Sequence, residues 1–504
     1  MKLAIYQTSD LHGYVYPTNY VSEQPLGILK IGSYIKEDES NYDASLKIDC
    51  GDLIQGSALT HYLYKHTIEN NPIIECLEAI GYDAYILGNH EFNYGLDYLS
   101  KSYGPVSNKI LNANIEGLQF KTKPYRILEY SGFRIACIGF TTSFIPNWEQ
   151  ECNIKGLKFN DPVEIYAKYE EELKENSDFI IVCYHGGFER SLEDNITPTE
   201  ALTKENQASE LLEKFSSIDM VLSGHQHRSF ITKINGKLCS QPLNNGQNFA
   251  KIVLDTHTKE LEYELVDVKN INIEINKNLE SIFSEVESNL QTYLDKEIGE
   301  FSKDIVVDDI FLARLKGHPF INFLHQVHLD VANADISVLS VFDSTIGFKK
   351  NISIRDVLIN YPYPNTLKIL KVKGSDLKDA MEKSATYFVK KDNEVVVNES
   401  FLKPKVQHYN YDTFGGITYE IDLNRDFGDR IVYIKKDRKD LDLDKYYRVV
   451  MNNYRASNTS IYPSYKGAEV VGEISIDISE LIINYIQKHK KIDVVDECNY
   501  IIKY

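Results

Sequence analysis

Five short motifs in the first half of the chain combine carboxylate, imidazole and amide side chains, which are groups that bind divalent metals. In chain order, they are Asp10-Leu11-His12, Gly51-Asp52, Gly88-Asn89-His90-Glu91, His185-Gly186-Gly187 and Gly224-His225-Gln226-His227. No sulfur donor belongs to the set, and the remaining donors suit Mn²⁺, Zn²⁺, Fe²⁺ or Co²⁺. Two such ions about 3.5–4 Å apart, bridged by a carboxylate and a hydroxide, commonly hydrolyse phosphate esters. The residue types therefore predict a dimetal hydrolytic site.

The spacing within two of these motifs supports a shared site. His225 and His227 are separated by one residue and follow the apolar run 221–223. Residues two apart in an extended chain lie on the same side, so both imidazoles can face one point. Asp10 and His12 repeat this spacing after the first apolar run. A single histidine is more often a surface or core residue, but the paired occurrence favours a common metal site.

Each motif follows a predicted strand. Apolar runs that indicate strands are Leu3–Thr8, Leu46–Asp49, Ala84–Leu87, Arg134–Phe140, Phe179–Tyr184 and Met220–Ser223. Helical patterns lie between them, for example Ile28–Glu37, Pro72–Ile80, Val163–Lys174 and Glu200–Phe215. This alternation predicts a layered α/β domain. Because α/β sheets bind ligands at the carboxyl ends of their strands, we expect the dispersed motifs to converge there.

The second half of the chain predicts a further α/β domain, since 504 residues exceed the roughly 250–300 of a single core. Residues 278–298 have a helical apolar period with an acidic opposite face, which we interpret as an interdomain helix. A helix packed within one domain is the alternative. Beyond it, Leu377–Val389 is predicted to be helical, with Ser375 as its cap. The predicted domains are 1–270, a helical linker at 271–301, and 302–504.

Composition limits the partners and the compartment. The net charge of −19 argues against binding to a nucleic-acid polymer or an acidic membrane surface. Seven cysteines, odd in number and irregularly spaced, indicate reduced thiols. No apolar run approaches the ~18 residues of a membrane span, and the first strand begins too early for a signal peptide. We therefore expect a cytoplasmic protein, with a trimmed secreted form as the alternative, and no protein partner is implied.

In this order, the five motifs resemble those of the calcineurin-like metallophosphoesterases. The resemblance implies one metal held by Asp10, His12, Asp52 and His227. It implies a second metal held by Asp52, Asn89, His185 and His225, with Asp52 bridging the two. His90 would stabilise the transition state or protonate the leaving oxygen. The residue that partners this histidine in such families is often acidic, whereas the candidate here is Asn93, which can orient an imidazole but cannot balance its charge.

Motifs in the second half narrow the resemblance. The segments 361–367, 409–413 and 452–456, with 88–96, resemble the two-domain 5′-nucleotidase family, most of all its 2′,3′-cyclic-nucleotide 2′-phosphodiesterase/3′-nucleotidase branch. The implied fold is α/β (α+β): a four-layer metallophosphoesterase sandwich, a helical linker and a smaller nucleotide-recognition domain. By resemblance, Tyr363 and Tyr454 would stack on the base and Asn365 would hydrogen-bond it. The alternative is ordinary packing, because the chain has 35 tyrosines.

One segment departs from the nucleotidase pattern. Relatives usually carry a glycine-rich stretch with arginine after the strand at 336–339, but residues 340–350 contain neither Gly-Gly nor Arg. The departure bears on substrate preference, since lysine replaces a phosphate-binding arginine poorly. We expect a dimetal phosphoesterase that hydrolyses 2′,3′-cyclic nucleotides and 3′-nucleotides by attack of a metal-bridged hydroxide. The alternatives are a 5′-nucleotidase or nucleotide-sugar hydrolase, and an inactive nucleotide-binding sensor.

Overall fold

The computed structural model describes all residues except 67–69, 201, 364, 393, 404, 458–460 and 475. The described chain divides into two units, Met1–Leu290 and Gln291–Tyr504. Within the described residues, no helix is both long enough and apolar enough to cross a membrane.

Among its described residues, the first unit contains two large sheets, one two-stranded sheet and helices. Its strands are β1 (Lys2–Thr8), β2 (Ala44–Asp49), β3 (Ala84–Tyr85), β4 (Ile115–Glu116), β5 (Tyr125–Tyr130), β6 (Phe133–Thr141), β7 (Lys158–Phe159), β8 (Phe179–His185), β9 (Met220–Ser223), β10 (Phe230–Ile234), β11 (Lys237–Gln241), β12 (Asn248–Asp255) and β13 (Leu261–Asp267). The helices up to the unit boundary, which falls inside the last of them, are α1 (Ile28–Asp38), α2 (Ala58–His66), α3 (Pro72–Ile80), α4 (Gly95–Tyr103), α5 (Pro162–Asn176), α6 (Ala208–Lys214), α7 (Lys277–Ser281) and α8 (Ser284–Leu294).

The two large sheets pack face to face and form the central core of this unit. One sheet has the order β13-β12-β1-β2-β3 and the other β10-β11-β9-β8-β6-β5. Alternate residues of β8 point to opposite faces: Ile181 packs with Leu3 and Leu46 of the facing sheet, whereas Val182 packs with Val163 of α5. On the outer face of the first sheet, the Tyr6 hydroxyl donates to Asp38 of α1 at 2.7 Å. The predicted helix–sheet–sheet–helix sandwich is therefore confirmed.

The second unit is also mixed α/β. Its strands are β14 (Glu297–Phe301), β15 (Ile305–Val306), β16 (Ile336–Leu339), β17 (Gly347–Phe348), β18 (Asn351–Ser353), β19 (Leu367–Lys373), β20 (Phe388–Lys391), β21 (Glu394–Val397), β22 (Thr413–Gly415), β23 (Thr418–Asp422), β24 (Ile431–Lys436), β25 (Lys439–Asp440), β26 (Tyr446–Asn452), β27 (Glu469–Ile474), β28 (Lys491–Ile492) and β29 (Tyr500–Lys503). Its helices are α9 (Ile310–Lys316), α10 (Pro319–Ala332), α11 (Ile354–Asn360), α12 (Gly374–Ser384), α13 (Asn453–Ser457) and α14 (Ile478–His489). The main sheet has the order β22-β16-β26-β19-β27.

Two helices that were predicted beyond residue 270 differ from the structure. The single helix expected at 278–298 is divided into α7 and α8, and residues 297–301 form strand β14 instead. The helix expected at 377–389 ends at Ser384, because the β-branched and aromatic residues that follow pair as β20 with β21. Ser375 is not a cap: its backbone N–H donates to the carbonyl of Leu443, so the first turn is satisfied by backbone.

Two predicted elements of the first unit are shorter than expected. The helix expected at 200–215 begins only at Ala208, and the segment before it contributes Glu200 and Glu205 to contacts near the last histidine motif. The strand expected at 84–87 ends at Tyr85, although the Ile86 N–H still donates to the Asp49 carbonyl at 2.9 Å. In both places the chain leaves regular structure to supply side chains to the motif region.

Candidate metal centre

The first predicted ligand group converges at the carboxyl ends of β1, β2 and β9. Ligand atoms of Asp10, His12, Asp52 and His227 all lie within 4.8 Å of one another. His12 Nε2 is 3.2 Å from His227 Nε2, which in turn is 3.3 Å from Asp10 Oδ1. Both carboxylates are buried. These four side chains therefore face one small volume.

The second predicted group shares Asp52 with the first. Ligand atoms of Asp52, His185 and His225 also lie within 4.8 Å of one another. His185 Nε2 is 3.2 Å from Asp52 Oδ2. The amide oxygen of Asn89 is 3.1 Å from His185 Nε2 and 2.8 Å from His225 Nδ1. Asp52 thus lies between two groups of donors, as a bridging ligand would.

The donor atoms fit a pair of divalent cations. Ligands about 2.1 Å from one ion lie roughly 3–3.5 Å from each other, which matches the spacings above. Burial lowers the pKa of His12 to about 4, so this ring is in the neutral form that binds metal. Burial alone would lower the pKa of His185, yet the Asp52 carboxylate outweighs it and raises that pKa to about 10. The centre therefore attracts positive charge.

The backbone at this centre adopts a sparsely populated conformation. Positive φ angles occur at five of the seven predicted ligands: 54° at Asp10, 48° at His12, 58° at Asp52, 73° at His225 and 52° at His227. For residues with a side chain, this left-handed region costs about 1–2 kcal/mol each. Such outliers cluster at functional sites, where the surrounding structure holds them in place.

Glu91 holds two ligand loops together, a role that the sequence analysis did not give it. Its buried carboxylate accepts hydrogen bonds from the backbone N–H groups of Asp52 at 2.8 Å, Leu53 at 2.6 Å and Gly88. The same carboxylate accepts from the Tyr103 hydroxyl at 3.3 Å. A side chain at Gly88 would collide with the Asp52 carboxylate, so the two loops can approach only with glycine there. An acid inside a ligand motif, directly after a buried strand, was the available signal.

Hydrogen bonds on the far side of the rings select which nitrogen faces the centre. His12 Nδ1 and His185 Nδ1 lie 2.9 and 2.6 Å from the carbonyls of Gln55 and Cys50, which leaves each Nε2 for a metal. His225 is reversed: its Nε2 lies 3.0 Å from Glu205 Oε1, and its Nδ1 faces the centre. The Trp148 ring also stacks on His225, at 5.5 Å between centroids. No local pattern in the sequence marked Glu205 or Trp148.

His90 lies beside the centre rather than within either group. Its backbone N–H donates to Asp52 Oδ1 at 2.8 Å, and its Nε2 is 3.9 Å from Asp52 Oδ2. Its Nδ1 lies 2.7 Å from the amide oxygen of Asn93. The Asn93 amide nitrogen donates to Glu149 at 2.5 Å. The structure therefore brings His90 and Asn93 together and adds a carboxylate that the sequence analysis missed.

The predicted base-binding residues lie in the second unit and are half-buried. The Tyr363 ring is 4.9 Å from that of Phe342, and the Tyr454 ring is 6.3 Å from that of Tyr409. The carbonyl of Asn365 accepts from the backbone N–H of Ile478 at 2.8 Å. All three are surface-accessible in part, but their role in substrate binding stays a prediction.

An arginine from another element contacts the segment 340–350, which has no arginine of its own. Arg314 of α9 donates to the Val341 carbonyl at 2.8 Å and to Asp343 Oδ1 at 2.7 Å. Its guanidinium is buried and comes from a different element, so the sequence of 340–350 holds no sign of it.

Comparison with known proteins agrees with this fold and site. Residues 3–229 match the calcineurin-like phosphoesterase family, and residues 297–467 match the 5′-nucleotidase C-terminal domain. A solved structure of a putative 5′-nucleotidase from Staphylococcus aureus, in complex with alpha-ketoglutarate, is 37% identical, with a TM-score of 0.92 and full coverage of both chains.

Curated relatives are more distant. The trifunctional nucleotide phosphoesterase of Bacillus subtilis is 26% identical over 99% of this chain, which spans 38% of the length of that relative. A 2′,3′-cyclic-nucleotide 2′-phosphodiesterase/3′-nucleotidase of Yersinia enterocolitica is 25% identical over 90% of this chain and 80% of the relative. The fold and site define a metallophosphoesterase with a second, nucleotidase-type domain. The chain belongs to the two-domain 5′-nucleotidase family, whose members are phosphoesterase and nucleotidase hydrolases.

Proposed function

We propose that this protein hydrolyses phosphate esters of nucleotides with the help of two divalent cations. The observation that carries the proposal is the shared position of Asp52, whose carboxylate belongs to both groups of converging donors. Asp10, His12 and His227 would hold one cation with it, and Asn89, His185 and His225 the other. When bound, such a pair stabilises charge on the phosphoryl oxygens and makes the attacking water more acidic.

The chain's own residues would then position the metal-binding rings and protonate the leaving group. Carbonyls behind His12 and His185 keep their rings oriented, so the donors are arranged before substrate arrives. His90 lies beside Asp52 with Nε2 directed to the centre, where it would donate a proton to the departing oxygen. Transfer of that proton matters most when the leaving group is a strongly basic alkoxide, such as a ribose oxygen.

For the substrate we propose 2′,3′-cyclic nucleotides and 3′-nucleotides. Relatives that bear this name include the Yersinia enterocolitica protein. In the second unit, Tyr363 and Tyr454 would stack on the base and Asn365 would bond to its edge, with stacking worth about 1–3 kcal/mol per base. Hydrolysis of the cyclic ester would open it to a 3′-phosphate, and a second hydrolysis would release nucleoside and phosphate.

A 5′-nucleotidase is the second candidate. It is favoured by the Staphylococcus aureus structure, which carries that name at 37% identity over the full chain. The ion pair between buried Arg314 and exposed Asp343 also gives the segment at 340–350 a chemistry of its own. The two candidates differ in the position of the phosphate that is cleaved.

A substrate panel tests these alternatives. We expect hydrolysis of 2′,3′-cyclic and 3′-nucleotides in Mn²⁺, slower hydrolysis of 5′-nucleotides, and loss of all activity after chelation. The measurement is the release of phosphate and nucleoside from each substrate, with and without chelator. A preference for 5′-nucleotides would replace the first candidate by the second. Retention of full activity in the chelated protein would contradict both.

Replacement of Tyr363 tests the proposed base contact. We expect Tyr363→Ala to raise KM for nucleotides about 10-fold, because one stacking face is lost, and to change kcat little. The rate on p-nitrophenyl phosphate, which has no base, should stay unchanged. Tyr504→Ala, at an exposed tyrosine of the same unit, is the matched control. An equal KM for wild type and Tyr363→Ala would remove this residue from the proposed site.

A further inference from the structure

Glu149 lies in the segment after β6, and its carboxylate accepts three hydrogen bonds. Its Oε1 accepts from the Asn153 amide at 2.8 Å and from the Gln150 backbone N–H at 2.8 Å. Its Oε2 accepts from the Asn93 amide nitrogen. The two bonds to Oε1 fix the carboxyl group, so Oε2 is the oxygen presented to Asn93.

This arrangement decides how the Asn93 amide is turned. A carboxylate only accepts hydrogen bonds, so the amide NH₂ must face Glu149 and the amide oxygen must face His90. The oxygen lies 2.7 Å from His90 Nδ1, which must therefore carry a proton. Without an acceptor behind it, an asparagine amide could turn either way and would not select a tautomer.

We propose that Glu149 is a positioning residue for His90 and acts through Asn93. It fixes the Nδ1–H tautomer of His90, so that Nε2 is the nitrogen that exchanges a proton with the departing oxygen, and it places a negative charge one amide away from the ring. The inference rests on the proposed function, in which His90 serves the leaving group. The carboxylate that resemblance led us to expect at position 93 is thus provided from position 149.

The geometry specifies what a neutral side chain would do. In Glu149→Gln, the oxygen of the new amide stays with Asn153 and Gln150, so its NH₂ faces Asn93. The Asn93 amide must then turn its oxygen to position 149 and its NH₂ to His90, which selects the wrong tautomer. The double variant Asn93→Asp/Glu149→Gln exchanges the two groups: the aspartate accepts from both His90 and the glutamine.

The test compares two aryl phosphates that differ in the basicity of the leaving group. On phenyl phosphate, whose leaving group is the more basic, we expect Glu149→Gln to lower kcat about 10-fold. On p-nitrophenyl phosphate we expect kcat to change less than about threefold. KM for both substrates and the metal content of the protein should stay unchanged. Asn93→Asp alone places two carboxylates together and should also lose activity, whereas the double variant should recover to within about threefold of wild type. Glu151→Gln, at an exposed neighbour, is the matched control.

A second readout does not depend on turnover. In a ¹⁵N spectrum of metal-free protein, with the His90 signals assigned by their absence in His90→Asn, wild type should show the Nδ1–H tautomer. Glu149→Gln should shift this equilibrium and the double variant should restore it.

The inference is overturned if Glu149→Gln has the kcat of wild type, or if its kcat falls by the same factor on both substrates. It is also overturned if the double variant does not recover its kcat on phenyl phosphate. An unchanged His90 spectrum in Glu149→Gln would overturn it as well. A wild-type protein that cleaves neither aryl phosphate in Mn²⁺ would instead overturn the proposed function, and the inference with it.

Discussion

At the scale of single residues, the centre is defined by buried charge. Asp10 and Asp52 are removed from water, and they face imidazoles rather than arginine or lysine. A buried carboxylate without a cation is costly, and the raised pKa of His185 shows how strongly this place favours positive charge. The residue types alone indicated this chemistry, because carboxylate, imidazole and amide oxygen donors are the ligands that divalent metals of this kind prefer.

Asp52→Ala removes the one carboxylate common to both donor groups. We expect kcat to fall more than about 100-fold, since loss of a ligand should exceed the 10- to 100-fold effect of residues behind the ligands. Elemental analysis should show less than two ions per chain. Asp97→Ala, at an exposed aspartate, should leave both quantities unchanged. Normal metal content and turnover in Asp52→Ala would show that the centre is assigned incorrectly.

Glu91→Gln tests the residue that ties the ligand loops together. One amide oxygen cannot replace a carboxylate that accepts from several backbone N–H groups, so we expect a loss of about 1.5–3 kcal/mol in the free energy of unfolding. Metal affinity should fall about 10- to 100-fold. Tyr103→Phe, which removes only the hydroxyl bond at 3.3 Å, should cost about 1 kcal/mol or less. Thermal unfolding and metal titration of both variants provide the comparison.

At the scale of elements, prediction was accurate for strands and less so for the segments beside the site. Strands β9 and β16 and helix α3 have the predicted bounds, because their apolar patterns record burial in a sheet or against it. Residues 202–207 belong to a stretch with a helical pattern but are irregular, since Glu200 and Glu205 bond to side chains of the last histidine motif. Long-range contacts of this kind leave no local pattern, and for the same reason Glu149 could not be found from its neighbours.

The left-handed backbone of the ligand loops yields a prediction about stability. In metal-free protein, we expect His227→Gly to be about 1 kcal/mol more stable than His227→Ala, because both lack the imidazole and only glycine tolerates a φ of 52°. At His185, which lies in a strand, the order should reverse and alanine should be the more stable. The measurement is thermal unfolding of the four variants. A more stable alanine at position 227 would mean that the backbone there is unstrained.

At the scale of the whole molecule, we expect acid to lower the free energy of unfolding of the second unit at pH values above those that protonate its carboxylates. His325 and His328 of α10 are buried, and burial lowers their pKa values to about 3 and 4, from 6.5 when exposed. His325 lies 3.0 Å from the hydroxyls of both Ser337 and Thr413. Among the described residues, His328 Nε2 has no hydrogen-bond partner. Both rings are therefore neutral in the folded unit.

From these values we expect the stability of the second unit to fall as pH decreases from 6.5 to 4. In this window the unfolded chain binds protons that the folded unit excludes, at about 1.4 kcal/mol per pH unit for each histidine. His325→Gln/His328→Gln should reduce this slope, whereas His257→Asn, at an exposed position, should not. Hydrogen exchange in residues 319–332, corrected for its intrinsic pH dependence, measures the effect. An unchanged slope in the double variant would show that other groups govern acid unfolding.

Because β1 pairs with β12, the first strand must wait during translation until β12 has been synthesised. The two strands are adjacent and antiparallel, with Lys2 opposite Asp255 and Gln7 opposite Ala250. Translation at about 5–20 residues per second leaves the first strand without this neighbour for roughly 12–50 s. During that interval the backbone groups on this edge of β1 lack their partners, and other chains could pair with them. A ribosome-bound helper protein that covers the edge would therefore raise the yield of folded protein.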